Sequence, residues 1–149
     1  MMNSTQAAEE ARRKAADDDP PVMLSTTDAD RLSSLAASAA RRSPEVAQRL
    51  LAEIDRADLL PPDELPPDVV AMYSYVEYRD EGTGAARQVQ LVYPHEADIA
   101  QGRISVLTLV GAALLGLRAG QAILWPKQDG QERRLTILRV SPQSLAPRA

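Results

Sequence analysis

Cysteine and phenylalanine are absent from this sequence, and tryptophan and histidine occur once each. Without cysteine there is no disulfide framework, no thiolate metal site and no thiol nucleophile, and one histidine cannot build a histidine cluster. The core must therefore come from leucine, valine, isoleucine, alanine and the four tyrosines, which argues against an aromatic-lined small-molecule pocket. A net positive charge is also lacking. A net charge of −4 argues against a general electrostatic grip on nucleic acid. Long apolar runs are missing as well: Val106 to Leu117 is interrupted by Thr108, Gly111 and Gly116 and is too short to span a bilayer. Met1 to Asp19 carries charges where a secretion signal needs an uninterrupted apolar segment, so a cytoplasmic location with no membrane contact is expected.

The chain of 149 residues suits one ordinary domain, or a smaller domain with an appendage. Residues 1–23, with Asp17 to Asp19 and Pro20-Pro21, offer little apolar surface to offset ordering entropy and read as a disordered tail. Thr27 to Asp30 has the form of a capping box with Asp in place of Glu, and Leu32, Leu35, Ala36 and Ala39 follow at helical spacing. Ser43-Pro44-Glu45 then supplies an N-cap, a first-turn proline and an acid at the positive end of a second helix. Its inward face is Val46, Ala47, Leu50, Leu51, Ile54 and Ala57. The two helices predict a short antiparallel hairpin, a short coiled coil, over 24–60 with arms of about 20 Å.

Paired prolines over 61–67 predict a linker. From Val69 the apolar period becomes two, predicting a strand that runs through Val76, a turn at Glu81 to Gly84 and a partner strand from Arg87 to Tyr93. Tyr73 and Tyr75 would share one face of that strand, as sheet packing rather than a base-stacking platform, because Arg79 is the only base nearby. After a loop at 94–102, Ile104 to Leu109 reads as a strand leading into an Ala-Leu-rich helix punctuated by Gly111, Gly116 and Gly120. Ala122 to Trp125 and Arg133 to Val140 complete the sheet around an Asp129-Gly130 turn, and 142–149 reads as a flexible tail. The expected class is α+β: a helical hairpin followed by a mostly antiparallel sheet domain, 68–141, with one short helix.

The stretch from Ile104 through Thr108, Leu109, Gly111 and Gly116 to Gly120, with Asp68 to Ser74 and Leu91 to Pro94, resembles the GreA/GreB family of transcript-cleavage factors of bacterial RNA polymerase. The resemblance implies an FKBP-like C-terminal domain, an N-terminal antiparallel coiled coil and binding at the rim of the polymerase secondary channel. The implied contact residues are Thr108, Leu109, Val110, Gly111 and Ala112. One branch of that family is named for regulating nucleoside diphosphate kinase, which implies that kinase as a further partner. Two positions depart from the family pattern: Thr108-Leu109 stands for Ser-Pro, and Gly120-Gln121 for Gly-Asp.

In that family, cleavage needs acidic side chains delivered by a long coiled-coil tip to the polymerase metal site. The expected tip here holds Arg41, Arg42 and Glu45. One carboxylate beside two bases is a poor donor for a shared magnesium ion, and Glu45 is explained by the helix dipole. A non-enzymatic regulator is therefore expected, with no catalytic residue, metal or cofactor. His95 stands beside Glu96 and near Asp98, but a lone loop histidine is a weak indication of a metal site. The alternatives are a cleavage stimulator of shortened reach and an interaction module acting on nucleoside diphosphate kinase.

Overall fold

The computed structural model describes residues 21–126 and 132–142. Most of the expected N-terminal tail, the Asp129-Gly130 turn and residues 143–149 lie outside them. Helix α1 (Thr26–Ala39) begins at Ser25, whose hydroxyl accepts the amide of Asp28 at 3.0 Å. The cap is thus two residues upstream of the expected Thr27 box. Asp28 is engaged elsewhere, because its carboxylate accepts the Met72 amide at 3.2 Å and ties the first turn of α1 to the sheet domain. Helix α2 (Pro44–Arg56) starts as its proline predicts, with Ser43 at the cap position but making no side-chain capping bond. Ala29, Leu32, Ala36 and Ala39 of α1 and Ala47 and Leu50 of α2 are buried.

Residues 22 and 23 belong to the fold rather than to a tail. Strand β1 (Met23–Ser25) pairs in parallel with β2 (Asp58–Leu60), so the entry to α1 lies beside the exit from α2. Val22 and Leu24 are fully buried. The Met23 amide donates to the Gly116 carbonyl at 3.0 Å, and the Asp58 amide donates to the Val22 carbonyl at 2.9 Å. Apolar side chains of the helices therefore share one core with the sheet domain, in which Leu32, Ala36 and Leu50 cluster with Val70, Leu91 and Leu114.

The main sheet has the order β5–β4–β3–β7–β6, built from β3 (Tyr75–Asp80), β4 (Ala86–Val92), β5 (Arg103–Ser105), β6 (Ala122–Pro126) and β7 (Glu132–Ser141). All neighbours are antiparallel except β4 and β5, which run in parallel. Glu77 with Arg139 (3.1 Å) and Asp80 with Arg133 (2.8 Å) form ion pairs between β3 and β7.

Two predicted strands are shorter than expected, for one kind of reason. Residues 69–74 do not extend β3: the Ser74 hydroxyl accepts the Ala71 amide at 2.9 Å and makes a local turn, while Val70 exchanges backbone bonds with Gly116 and Leu117 (both 2.8 Å). Tyr73, at φ 70°, stands before the strand and so does not continue a face with Tyr75. Strand β5 ends at Ser105: the Val106 amide still reaches the Val92 carbonyl at 2.9 Å, and the Ser105 hydroxyl then takes the Leu107 amide at 3.0 Å. In both places a short polar side chain competes with the sheet ladder.

Tyr78 in β3 is 8% exposed. Burial raises the pKa of its hydroxyl; Arg87 opposes that shift and Asp80 adds to it. The unfolded chain then ionises first, so this contribution to stability is complete below the free-tyrosine value of about 10 and is lost as pH rises through the higher folded value. The urea midpoint is expected to fall from pH 9 to pH 11, and Tyr78→Phe should flatten part of that fall.

Candidate protein-docking site

The stretch from Ser105 to Ala112 is held by a small set of hydrogen bonds. The Thr108 hydroxyl donates to the Ser105 carbonyl at 2.8 Å and accepts the Gly111 amide at 3.0 Å. The Ser105 hydroxyl accepts the Leu107 amide at 3.0 Å. Thr108 is therefore the N-cap of α3 (Leu109–Leu114), and Leu109 takes the first helical position, where proline would also fit. Gly111 is required by close approach: a Cβ there would collide with the Ser105 carbonyl oxygen.

Of the five contact residues implied by the sequence, Thr108 is exposed and Leu109 and Val110 are half-buried, while Gly111 and Ala112 are buried. The side chains available to a partner at this turn are thus the first three. At the second departure, the Gln121 side-chain oxygen accepts the Arg118 amide at 2.7 Å and closes the Gly120 turn. Arg118 reaches Asp68 at 3.0 Å. Arg41, Arg42 and Glu45 are all exposed where α1 passes into α2. Among the described residues no group of three or more His, Asp or Glu side chains is placed to hold a metal ion.

Composition argued against an aromatic pocket, yet two of the four tyrosines and the histidine line one groove. Its walls include Arg31, Ser34 and Leu35 of α1 together with Tyr73, Tyr93 and His95, around an open volume of about 700 Å³. Nothing in the local pattern announced this groove. The fragments Tyr93-Pro94-His95 and the 31/34/35/38 face of α1 are legible singly, but their meeting depends on the tertiary fold.

Residues 65–142 match the family described as "Transcription elongation factor, GreA/GreB, C-term", and residues 20–60 match "Rnk N-terminus". The chain belongs to the GreA/GreB family, in its Rnk-like branch. The regulator of nucleoside diphosphate kinase of Escherichia coli (strain K12) is 40% identical over 116 residues, spanning 78% of this chain and 85% of that one. The transcription elongation factor GreA of Acidiphilium cryptum (strain JF-5) is 36% identical over 87 residues, 58% of this chain and 55% of its own. Among solved structures, a prokaryotic transcription elongation factor GreA/GreB from Nitrosomonas europaea superposes with a TM-score of 0.66 at 40% identity, covering 82% of this chain and 98% of that one. The Rnk match begins just before Val22, in keeping with the place of β1 in the core. The GreA/GreB match spans the whole Thr108 turn and the main sheet, so the candidate docking loop lies within the family-defining portion of the chain.

Proposed function

We propose that this member of the GreA/GreB family is a non-enzymatic transcription regulator that binds RNA polymerase near the secondary channel and hinders Gre-type factors, without stimulating transcript cleavage. The observation that carries this reading is the Thr108 turn. Its hydrogen bonds fix it before any partner arrives, it exposes Thr108 with parts of Leu109 and Val110, and it lies inside the segment matching the transcription factors. A preordered loop loses little conformational entropy on docking. In this reading the sheet domain is the FKBP-like dock, and the two helices form the short coiled coil at the channel mouth.

Retention on immobilised core polymerase tests the proposal. Leu109→Asp should reduce retention at least ~10-fold, the effect of about 1.4 kcal/mol. An acid in the first helical turn favours the helix dipole, so the melting temperature should hold. Absence of wild-type retention, or of competition with a Gre factor, would overturn the reading.

The tip explains the second half of the proposal. Helices of 14 and 13 residues extend only about 20 Å, and Glu45 is the one carboxylate beside Arg41 and Arg42. RNA shortening in backtracked complexes should therefore be no faster with the protein than without it. Acceleration abolished by Glu45→Ala would instead establish a cleavage factor. The name of the Escherichia coli relative supports a second reading, action on nucleoside diphosphate kinase. A chain that binds that kinase and ignores polymerase would replace the first reading.

A further inference from the structure

Strand β5 lies at one edge of the main sheet, with β4 as its sole neighbour in the ladder. On the β4 side, the Gly102 carbonyl accepts the Gln90 amide at 2.7 Å and the Val106 amide reaches the Val92 carbonyl at 2.9 Å. Backbone groups alternate in direction along a strand, so those of Arg103 and Ser105 point away from β4. Turns of the chain itself meet them there. Asp98 and Arg103 exchange backbone bonds, each amide donating to the other's carbonyl, at 3.0 and 2.9 Å. The Ser105 carbonyl accepts the Thr108 hydroxyl at 2.8 Å. The loop before β5 and the turn after it therefore stand along the same edge of the sheet. They occupy the ladder positions that an added strand would use, so a partner at this edge meets side chains.

The loop is closed as firmly as the turn. Besides the Asp98–Arg103 pair, the Gln101 amide donates to the Asp98 carbonyl and the Gly102 amide to the Ile99 carbonyl, both at 3.0 Å, which makes one helical turn over Ile99–Gln101. Ile99 opens that turn and is 88% exposed, with Ala97 and Ala100 also exposed. A single exposed apolar residue needs no explanation by itself. Two features set Ile99 apart. It is held out by an ordered loop, so covering it costs little backbone freedom. It also shares the β5 edge with the Thr108 turn, whose Leu109 and Val110 are half-buried.

We propose that Ile99 is a second anchor of the polymerase dock: the partner that covers Leu109 and Val110 continues along the β5 edge and takes Ile99 into an apolar recess of its own. This inference rests on the polymerase reading above and adds to it the extent of the surface and the chemistry that the partner offers. Contacts on both sides of β5 fix the angle at which the sheet domain docks, and with it the direction of the helical hairpin that shares its core. A single turn would leave that angle free.

The test is retention of the full chain on immobilised core polymerase, with the native chain and Leu109→Asp run alongside. Ile99→Ser should weaken retention at least ~5-fold, the loss expected when a covered isoleucine is truncated. Its melting temperature should not change, because so exposed a side chain has few contacts to lose. Ile99→Leu keeps the apolar volume and should restore most of the retention. Leu59→Ser removes another exposed apolar side chain, 51% exposed and outside the main sheet, and should leave retention unchanged. Full retention of Ile99→Ser beside weakened Leu109→Asp would overturn this inference and spare the polymerase reading, whereas a native chain that is not retained would end both. A lower melting temperature for Ile99→Ser would assign the residue to the fold, and equal weakening by Leu59→Ser would reduce the effect to general stickiness; either would overturn the inference.

Discussion

Replacing Gly116 by alanine is expected to destabilise the protein by roughly 2–5 kcal/mol, from a left-handed backbone cost of about 1–2 and an overpacking cost of about 1–3. Gly116 has φ 78°, and an added Cβ would run into Val22 Cγ1, with the Met23 carbonyl oxygen at 3.1 Å. The backbone cannot step aside. The Gly116 amide donates to the Val70 carbonyl at 2.8 Å, and its carbonyl accepts the Met23 amide at 3.0 Å. Gly120→Ala is the matched control, because Gly120 has φ 92° and open space around its missing Cβ. The difference between their urea midpoints isolates the packing of β1 on the turn after α3. Because the same contact joins the helices to the sheet domain, exchange of the Met23 and Asp58 amides should also accelerate in Gly116→Ala. Equal losses for the two variants would sink this account.

Those contacts explain which parts of the fold could be read in the sequence. The start of α2 was legible from Pro44 and Glu45, whereas Ser43 makes no capping bond. Spacing found the buried Leu32, Ala36, Ala39, Ala47 and Leu50, but Leu35, Val46, Leu51, Ile54 and Ala57 are only half-buried and the buried Glu53 was missed. The β3–β4 pair was legible except where Ser74 bonds its own backbone and Val70 turns to Gly116. The β1–β2 ladder joins residues more than thirty positions apart in sequence, and Val22 and Met23 carry no local sign of it. Likewise, Ser25 rather than Thr27 caps α1, and Asp28 bonds the distant Met72 amide.

The candidate site divides along the same line. The run from Thr108 to Ala112 was recognisable as a unit. Its division into exposed Thr108, half-buried Leu109 and Val110, and buried Gly111 and Ala112 follows from how closely α3 approaches Ser105, a distance no periodicity encodes. Tyr73 was even less accessible to sequence reading. Strand alternation predicted an extended residue, and its positive φ arises from bonds to Leu91 and the Ser74 turn.

Gly111→Ala is expected to cost about 1.5–5 kcal/mol, through overpacking of 1–3 and the loss of a helix cap of roughly 0.5–2. The new Cβ would meet the Ser105 carbonyl oxygen, with the Ser105 carbonyl carbon and Thr108 Oγ1 each at 3.0 Å. Ser105 is paired with Val92 in the β4–β5 ladder, so a rotamer change cannot clear the space. The strain must fall on Thr108, whose hydroxyl bonds both the Ser105 carbonyl and the Gly111 amide. Thr108→Val removes those bonds without adding a clash and should cost about 1–2 kcal/mol. The double variant then discriminates. If Gly111→Ala acts partly by breaking the Thr108 cap, its cost in the Thr108→Val background should be at least about 0.5 kcal/mol smaller than in the native chain. Strict additivity in thermal unfolding would show that the clash is absorbed elsewhere. Under the proposed docking on polymerase, both single variants should also weaken retention together with the cap, since the Thr108 bonds fix the backbone that carries Leu109 and Val110.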